Sequence, residues 1–143
     1  MDVIRVKRLR DGAQLPYRAT SDSTGYDLFA CLEGETLTVG QEPVRVPTGI
    51  AIEAPSGYDV QIRPRSGLSF KGAMVTYGTI DADYRGELLV TMYVLSYREP
   101  HVINNGDRIA QLVISRTADV ALEEVTELSE SVRGAGGHGS TGR

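Results

Sequence analysis

The chain has 143 residues, 41% hydrophobic and 24% charged, with a formal net charge of −4, as expected for one ordinary globular domain. The acidic balance and the lack of a lysine- or arginine-rich block disfavour nucleic acid as a partner. The short, charged N-terminal stretch does not resemble a signal peptide, and no apolar run approaches the ~20 residues of a membrane span. We therefore expect a soluble, cytoplasmic protein with no membrane partner.

Short alternating or β-branched stretches predict a succession of strands. The predicted strands cover residues 3–8, 44–46, 49–53, 58–63, 88–95 and 109–115. Turn signals containing glycine, proline or asparagine lie at residues 33–34, 55–57 and 104–106. One short helix is predicted from Ser66 to about Lys71. Many short strands with closely spaced turns predict an all-β barrel or a two-sheet jelly roll.

The single cysteine, Cys31, lies in the apolar run 28–32. It cannot form an internal disulfide, which favours a reducing compartment. Its apolar neighbours predict a buried, inert thiol.

The first polar cluster covers residues 63–67, with the sequence RPRSG. A strand that ends at Pro64 and a helix that begins at Ser66 would present free backbone N–H groups beside a guanidinium and a hydroxyl. Such a turn binds anions. A capped helix with a surface arginine is the alternative.

The second cluster, residues 78–86, brackets two acids, a tyrosine and an arginine with glycines just before the most apolar strand. This pattern is typical of a hairpin tip that carries a carboxylate and an aromatic ring. A carboxylate placed there can orient and deprotonate a water molecule. A plain polar turn is the alternative.

The third cluster, residues 105–111, runs from a turn into a strand. Asp107 and Arg108 can simply pair with neighbours. Gln111 is unusual in a strand, and is either a ligand contact or a buried amide with internal partners.

The last residues, 131–143, contain five glycines and almost nothing apolar. Taken alone, they predict a disordered tail. The two histidines and one cysteine of the chain are too few for a transition-metal site, and no nucleophile elbow is present.

Taken together in chain order, five segments resemble the signature motifs of the trimeric dUTPase family. They are TGYDL (24–28), PRSGL (64–68), GTIDADYRG (78–86), GDRIAQ (106–111) and RGAGGHGSTG (133–142). The resemblance implies a dUTPase-like jelly-roll or β-clip barrel with one short helix, assembled as a homotrimer with shared active sites. It implies a barrel domain over residues 1–130 and a flexible glycine-rich arm over residues 131–143 that closes over the active site.

The implied activity is that of a dUTP diphosphatase. Such an enzyme hydrolyses dUTP to dUMP and pyrophosphate by water attack on the α-phosphorus. It thereby limits uracil incorporation into DNA and supplies dUMP for dTMP synthesis. The resemblance implies that Asp81 activates the water, and that Tyr84 packs under the deoxyribose and leaves no room for a 2′-hydroxyl.

Binding roles for the nucleotide follow from the same resemblance. The phosphate oxygens are expected to contact Arg65, Ser66, Gly67 and Gln111, and later the arm residues Arg133, Gly139, Ser140 and Thr141. Mg²⁺ is the expected cofactor, held mainly by the triphosphate and water, with Asp27 helping to organise that region and no direct protein ligand.

The sequence departs from the family pattern at two places. Residues 68–77 are short and lack the asparagine with which many members read uracil, so main-chain groups of a hairpin at Thr76, Tyr77 and Gly78, continuing into Thr79 and Ile80, are the expected base contacts. His138 stands where the family usually stacks a phenylalanine on uracil.

Two other functions fit the same fold. The first is dCTP deamination, which requires a catalytic glutamate on the strand after the acidic cluster, whereas residues 88–96 contain no acid. The second is a nucleotide sensor without activity, against which the retained Asp81, Tyr84 and complete arm argue.

Overall fold

The computed structural model describes residues 2–142, which fold into strands and one short helix. The elements in chain order are β1 (Arg5–Arg8), β2 (Gly25–Phe29), β3 (Thr36–Val39), β4 (Val44–Pro47), β5 (Ile50–Glu53), β6 (Tyr58–Arg63), α1 (Ser66–Phe70), β7 (Ala73–Val75), β8 (Gly78–Ile80), β9 (Leu89–Val94), β10 (His101–Asn104) and β11 (Arg108–Arg116). The all-β prediction with a short helix at Ser66 is therefore confirmed.

Each of the six predicted strands is present, with bounds that differ by no more than a few residues. Strands β2, β3, β7, β8 and β10 were not predicted. These five are short, at three to five residues, and several contain glycine or polar residues that mask an alternating pattern. Strands β2, β7 and β8 pair with the longer strands β11, β9 and β6, whereas β3 and β10 pair with each other, so pairing supplies the stability that the local sequence lacks.

All strand pairs are antiparallel and form four sheets. The largest sheet has the order β2-β11-β6-β8, and a second has the order β4-β9-β7. Two further pairs, β1 with β5 and β10 with β3, complete the jelly roll. The nine-residue strand β11 lies between β2 and β6, and so joins the segments on which most of the polar clusters lie.

The hydrophobic core lies between the inner faces of these sheets. Along β9 the burial alternates, so that Val90, Met92 and Val94 point inward and are at most 3% exposed. This is the two-residue period of a strand with one face in the core. Cys31 is buried beside the same core, as predicted.

The predicted hairpin tip at residues 78–86 is wrong. Strand β8 pairs with β6, whereas β9 pairs with β4 and β7, so the loop between them crosses from one sheet to another. The apolar run after the loop made a hairpin plausible from sequence, but both neighbours of β9 come from elsewhere in the chain.

The hairpin expected at residues 76–78 is also absent within one chain. Strand β7 ends at Val75 on β9, and β8 begins at Gly78 on β6. Thr76 and Tyr77 therefore form a short connection between two sheets. Strands β7 and β8 have three residues each, and each pairs with a six-residue strand instead of with the other.

Residues 117–142, after β11, contain no helix or strand. Several apolar side chains in this segment are exposed, among them Val120, Leu122 and Leu128, at 71%, 96% and 88%. The one helix among residues 2–142 has five residues, and it is too short to cross a membrane.

Candidate active site

A row of polar residues crosses the largest sheet at the end where β6 stops. Gln111 on β11 is paired with Asp27 on β2 and with Arg63 on β6. Directly paired residues of neighbouring strands point to the same face. Asp27, Gln111 and Arg63 therefore lie side by side on one face of the sheet.

Asp27 holds two arginines at this end of the sheet. Its Oδ1 lies 3.4 Å from Nε of Arg65, and its Oδ2 lies 3.6 Å from Nη1 of Arg108. The Asp27 side chain is only 14% exposed, whereas those of Arg65 and Arg108 are 33% and 47% exposed. The carboxylate thus restrains two guanidinium groups. Nη1 of Arg65 also donates to the carbonyl oxygen of Arg108 at 3.3 Å, and the remaining N–H groups can bind an anion.

The start of α1 lies beside Arg65 and presents free donors. Arg65 is extended, with φ −96° and ψ 136°, and no side chain caps the helix. In any helix the first N–H groups have no intrahelical acceptor, and here they belong to Ser66, Gly67 and Leu68. Backbone N–H groups, the Ser66 hydroxyl and the Arg65 guanidinium therefore meet at one turn, which favours the anion-binding interpretation over a capped surface helix.

Gln111 joins this turn to the sheet. Its Nε2 donates to the carbonyl oxygen of Pro64 at 3.0 Å. Its side chain packs over Gly25, where an added Cβ would lie 2.8 Å from the Gln111 Cδ. Glycine at residue 25 is therefore needed to seat the amide, which keeps its second N–H for a ligand.

The predicted base-binding segment follows the same edge. Thr76, Tyr77 and Thr79 are exposed, and Gly78 and Ile80 are half-buried. The Arg63 guanidinium carbon lies 5.9 Å from the centre of the Tyr77 ring. Strand β8 is the edge strand of the sheet, so one side of its main chain pairs with β6 and the other side has no partner strand.

Asp81 lies at the other end of β6. The register places Ile80 opposite Val60, so Asp81 follows beside Asp59, whereas Arg65 comes two residues after the far end of β6. Asp59 and Arg65 are six residues apart along a chain that is extended through β6 and at Arg65, a distance of about 20 Å at ~3.3 Å per residue. Within one chain, the structure does not bring Asp81 together with Arg65 and Gln111.

The loop carrying Asp81 is compact. The N–H of Tyr84 donates to the carbonyl oxygen of Asp81 at 3.0 Å, and the Tyr84 hydroxyl donates to that of Glu87 at 3.0 Å. Asp81 is exposed, and the Tyr84 side chain is also open to solvent, at 43%. A carboxylate and one ring face are thus available to a ligand.

An ion pair fixes the end of this loop. Arg10 contacts Glu87 at 2.6 Å, and the two side chains are 34% and 21% exposed. The hydrogen bond from Arg10 holds the pKa of Glu87 below its ordinary value of 4.5, against the smaller opposing effect of partial burial. The same contact raises the pKa of Arg10.

We predict that this pair makes folding stability fall in acid. Because the folded-state pKa of Glu87 is lowered, its contribution is complete above pH 4.5 and is lost as the pH falls through the lowered value. At pH 7, Glu87→Gln is expected to reduce the free energy of unfolding by ~1 kcal/mol, the scale of a partly exposed pair. Denaturant unfolding at pH 7 and pH 3.5, at equal protein concentration, measures the loss, which should shrink at the lower pH.

Arg10→Gln provides the control for that measurement. In its background, Glu87→Gln should cost little at either pH. A cost of Glu87→Gln that is equal at both pH values would show that the ion pair is not its source.

The predicted arm residues are described up to Gly142 and are exposed, except for the half-buried Gly136. Short turns link them to one another, such as Gly136 N–H to the Arg133 carbonyl oxygen at 3.1 Å and Ser140 N–H to that of Gly137 at 3.0 Å. His138 has φ 51°, a left-handed conformation that is uncommon outside glycine. Within residues 2–142, no hydrogen bond joins either end of β6 to the predicted arm contacts Arg133, His138, Gly139, Ser140 and Thr141. Arg143, the last residue of the predicted arm, lies outside the described residues.

Sequence reasoning did not select two arginines that this end of the sheet contains. The sequence suggested only that Arg108 pairs with a neighbouring residue. In the structure Arg108 contacts the same carboxylate, that of Asp27, as Arg65 does. Arg63 lies beside Gln111, and its buried Nε has no hydrogen-bond partner among residues 2–142. The strand register was the missing signal, because pairing between β6 and β11 cannot be read from either segment alone.

The fold is a jelly roll, and this end of its largest sheet gathers arginines and backbone N–H groups in an arrangement that can bind an anion. The sequence model of the dUTPase family matches residues 11–142. A deoxyuridine 5′-triphosphate nucleotidohydrolase from Hydrogenobaculum sp. is 49% identical over 140 residues, with 96% of each chain covered. One from Treponema denticola is 45% identical over 138 residues, covering 94% of this chain and 95% of its own.

Solved structures agree with this comparison. A dUTPase variant of Staphylococcus bacteriophage 80alpha, solved with dUpNHpp, superposes with a TM-score of 0.84 at 30% identity, with full coverage of both chains. A dUTPase variant from phage phi11 of S. aureus, described with a structural Mg(II) ion, gives 0.78 at 27% identity, covering 88% of this chain and 98% of its own. The chain belongs to the dUTPase family.

Proposed function

We propose that the chain hydrolyses dUTP to dUMP and pyrophosphate, by attack of water on the α-phosphorus. The observation that carries the proposal is the meeting of Asp27, Arg65 and Gln111 with the uncapped start of α1. These residues belong to three separate sequence motifs, and together they offer the positive charge and donors that a triphosphate requires. The identity of the relatives supports dUTP as the substrate.

The phosphate oxygens would bind at this turn. Arg65 supplies charge, Ser66 and Gly67 supply the hydroxyl and backbone N–H groups, and Gln111 supplies its free amide N–H. Because Asp27 already restrains Arg65, little side-chain freedom remains to be lost when a nucleotide binds.

The nucleoside would lie along the exposed edge of the sheet. Main-chain groups from Thr76 to Ile80 would read the uracil, and the open face of the Tyr84 ring would pack under the deoxyribose. Asp81 would orient the attacking water and accept its proton. An exposed carboxylate with no ion-pair partner among residues 2–142 is free to serve as such a base.

Mg²⁺ fits the site as a companion of the substrate. No group of three or more His, Cys, Asp or Glu residues in the described part of the chain could hold a metal ion, and Asp27 is already engaged by two arginines. An ion carried mainly by triphosphate oxygens and water needs no protein cage. When bound, it would neutralise phosphate charge, and Asp27 would keep the surrounding arginines in place.

Residues 131–143 would act as an arm that closes after binding, with the barrel domain formed by residues 1–130. Arg133 and the turn of Gly139, Ser140 and Thr141 would reach the β- and γ-phosphates, and His138 would cover the uracil. The turns that these residues make with one another, and their exposure, leave them free to move. Closure would exclude bulk water and complete the charge around the triphosphate.

We further propose that the working unit is a homotrimer in the cytoplasm. A separation of about 20 Å along β6 keeps Asp81 away from Arg65 in one chain, and a second copy that supplies one of the two residues would complete the proposed site. The exposed apolar side chains of residues 117–132 offer surface for that contact, including strand exchange near the C-terminus. The unpaired Cys31 is in keeping with a reducing compartment.

The trimer predicts a mass of three chains in solution. Light scattering at assay concentration should give about three times the 15.5 kDa of one chain. A monomer mass would leave Asp81 and Arg65 apart and would remove the shared-site account.

Pyrophosphate release from dUTP tests the proposed activity. The purified chain with Mg²⁺ should release pyrophosphate from dUTP and leave UTP, dTTP and dCTP nearly untouched. Ammonia release from dCTP would identify a deaminase, and tight dUTP binding without product would identify a sensor.

A further inference from the structure

The chain is anchored immediately after the loop of residues 81–86. Leu88 is fully buried. Its N–H donates to the carbonyl oxygen of Ile50 at 2.9 Å, and its own carbonyl oxygen accepts the Thr48 hydroxyl at 2.6 Å. The loop therefore ends on a fixed point of the core.

Glu87, one residue earlier, is anchored through its side chain. Arg10 donates to both carboxylate oxygens, at 2.6 Å from Nη1 and 3.2 Å from Nη2. Nη2 of Arg10 also donates to the carbonyl oxygen of the buried Cys31 at 2.9 Å. A two-point contact to a guanidinium that is itself bonded to the core has little freedom to shift.

Tyr84 takes its position from this anchored residue. Its ring folds back across Gly86, where an added Cβ would lie 2.6 Å from the Tyr84 Cζ. Its hydroxyl donates to the carbonyl oxygen of Glu87 at 3.0 Å. A shift of Glu87 would therefore move the acceptor that holds the ring.

We propose that Arg10 and Glu87 are positioning residues that set the selectivity of the site for deoxyribose. Their ion pair fixes the Glu87 carbonyl oxygen that accepts the hydrogen bond from the Tyr84 hydroxyl. It thereby holds the Tyr84 ring close enough to the sugar to exclude a 2′-hydroxyl. This inference rests on the proposed function, in which the Tyr84 ring packs under the sugar. Neither Arg10 nor Glu87 touches the substrate.

A purely structural role makes a different prediction. A pair that only stabilises the fold lowers the melting temperature and leaves the preference between sugars unchanged. A pair that positions the ring changes the preference for deoxyribose over ribose, because a displaced ring leaves space for the 2′-hydroxyl of the ribonucleotide. The ratio of the dissociation constants of UDP and dUDP separates the two roles without relying on turnover.

The experiment measures that ratio by displacement calorimetry on the full-length protein, native and with Glu87→Gln, Arg10→Gln or both. Each single substitution should reduce the ratio by about threefold to tenfold, and the double substitution should add little, as expected for two partners of one contact. Arg10→Lys should restore part of the ratio, since lysine keeps the charge and one of the contacts. With dUTP, the KM should change more than kcat.

Arg5→Gln is the matched control, because Arg5 forms an ion pair with Glu53 on the neighbouring strand and touches neither Glu87 nor Tyr84. The substitution leaves in place the contact of Glu53 with Arg85 of the loop at 3.4 Å. It should keep the native ratio. The positioning role is overturned if Glu87→Gln lowers the melting temperature but keeps the native ratio, or if Arg5→Gln reduces the ratio equally. Failure of the native chain to hydrolyse dUTP would overturn the proposed function itself, and the positioning role with it.

Discussion

Asp81→Asn is expected to reduce dUTP hydrolysis by about a hundredfold or more, while dUTP binding and the fold are kept. A positioned general base contributes about this much to a reaction that must deprotonate water. The substituted asparagine would keep the size and polarity of the side chain but could not accept the proton. Single-turnover hydrolysis, compared with calorimetric binding of a non-hydrolysable dUTP analogue, separates the chemical step from binding.

Asp83→Asn is the matched control for that loss. Asp83 is in the same loop, two residues away, so its substitution removes the same charge without removing the proposed base. Its hydrolysis should stay within a few-fold of native. Near-native turnover of Asp81→Asn, or an equal loss in both variants, would remove Asp81 from the mechanism.

Deletion of residues 133–143 is expected to reduce hydrolysis by at least about a hundredfold, because a guanidinium that completes charge neutralisation in phosphoryl transfer contributes on that scale. The melting temperature should change by less than about 2 °C, since the described arm residues make hydrogen bonds with one another and not with the sheets. Steady-state kinetics and calorimetric melting measure the two quantities on one preparation.

Arg133→Ala in the full-length chain shows how much of that loss belongs to one side chain. If closure by the whole arm matters, the substitution should cost less than the deletion. Unfolding of the truncated protein would make the arm a structural element, and undiminished turnover would exclude it from the site.

The sequence was sufficient where local chemistry decides the structure. Ser66 begins a helix because Pro64 ends the preceding strand and small residues follow, and both features are visible in five consecutive letters. The apolar run of residues 88–95 likewise predicts a strand, and the structure shows that Val90, Met92 and Val94 form its buried face. The roles expected of the motif residues came from the resemblance of five segments, in order, to one family, and not from local chemistry alone.

Long-range pairing could not be predicted in the same way. The apparent hairpin at residues 78–86 failed because β8 and β9 each find partners elsewhere in the chain. Arg10 and Glu87 are 77 residues apart in sequence, so nothing local connects them. The opposite placement of Asp81 and Arg65 along β6 follows only from strand register, and it is the observation on which the proposal of a shared site depends.

Different copies of the chain are proposed to contribute Asp81 and Arg65 to each site that hydrolyses dUTP. Trimers that mix Asp81→Asn chains with Arg65→Ala chains test this directly, because each variant alone should be nearly inactive. If the two residues come from neighbouring copies, random mixing in equal amounts should restore about a quarter of native turnover. A working site needs Asp81 from an Arg65→Ala chain and Arg65 from an Asp81→Asn chain, and each of the two positions is filled by the required chain half of the time. If mixed trimers are no more active than either variant alone, the site lies within one chain and the account is contradicted.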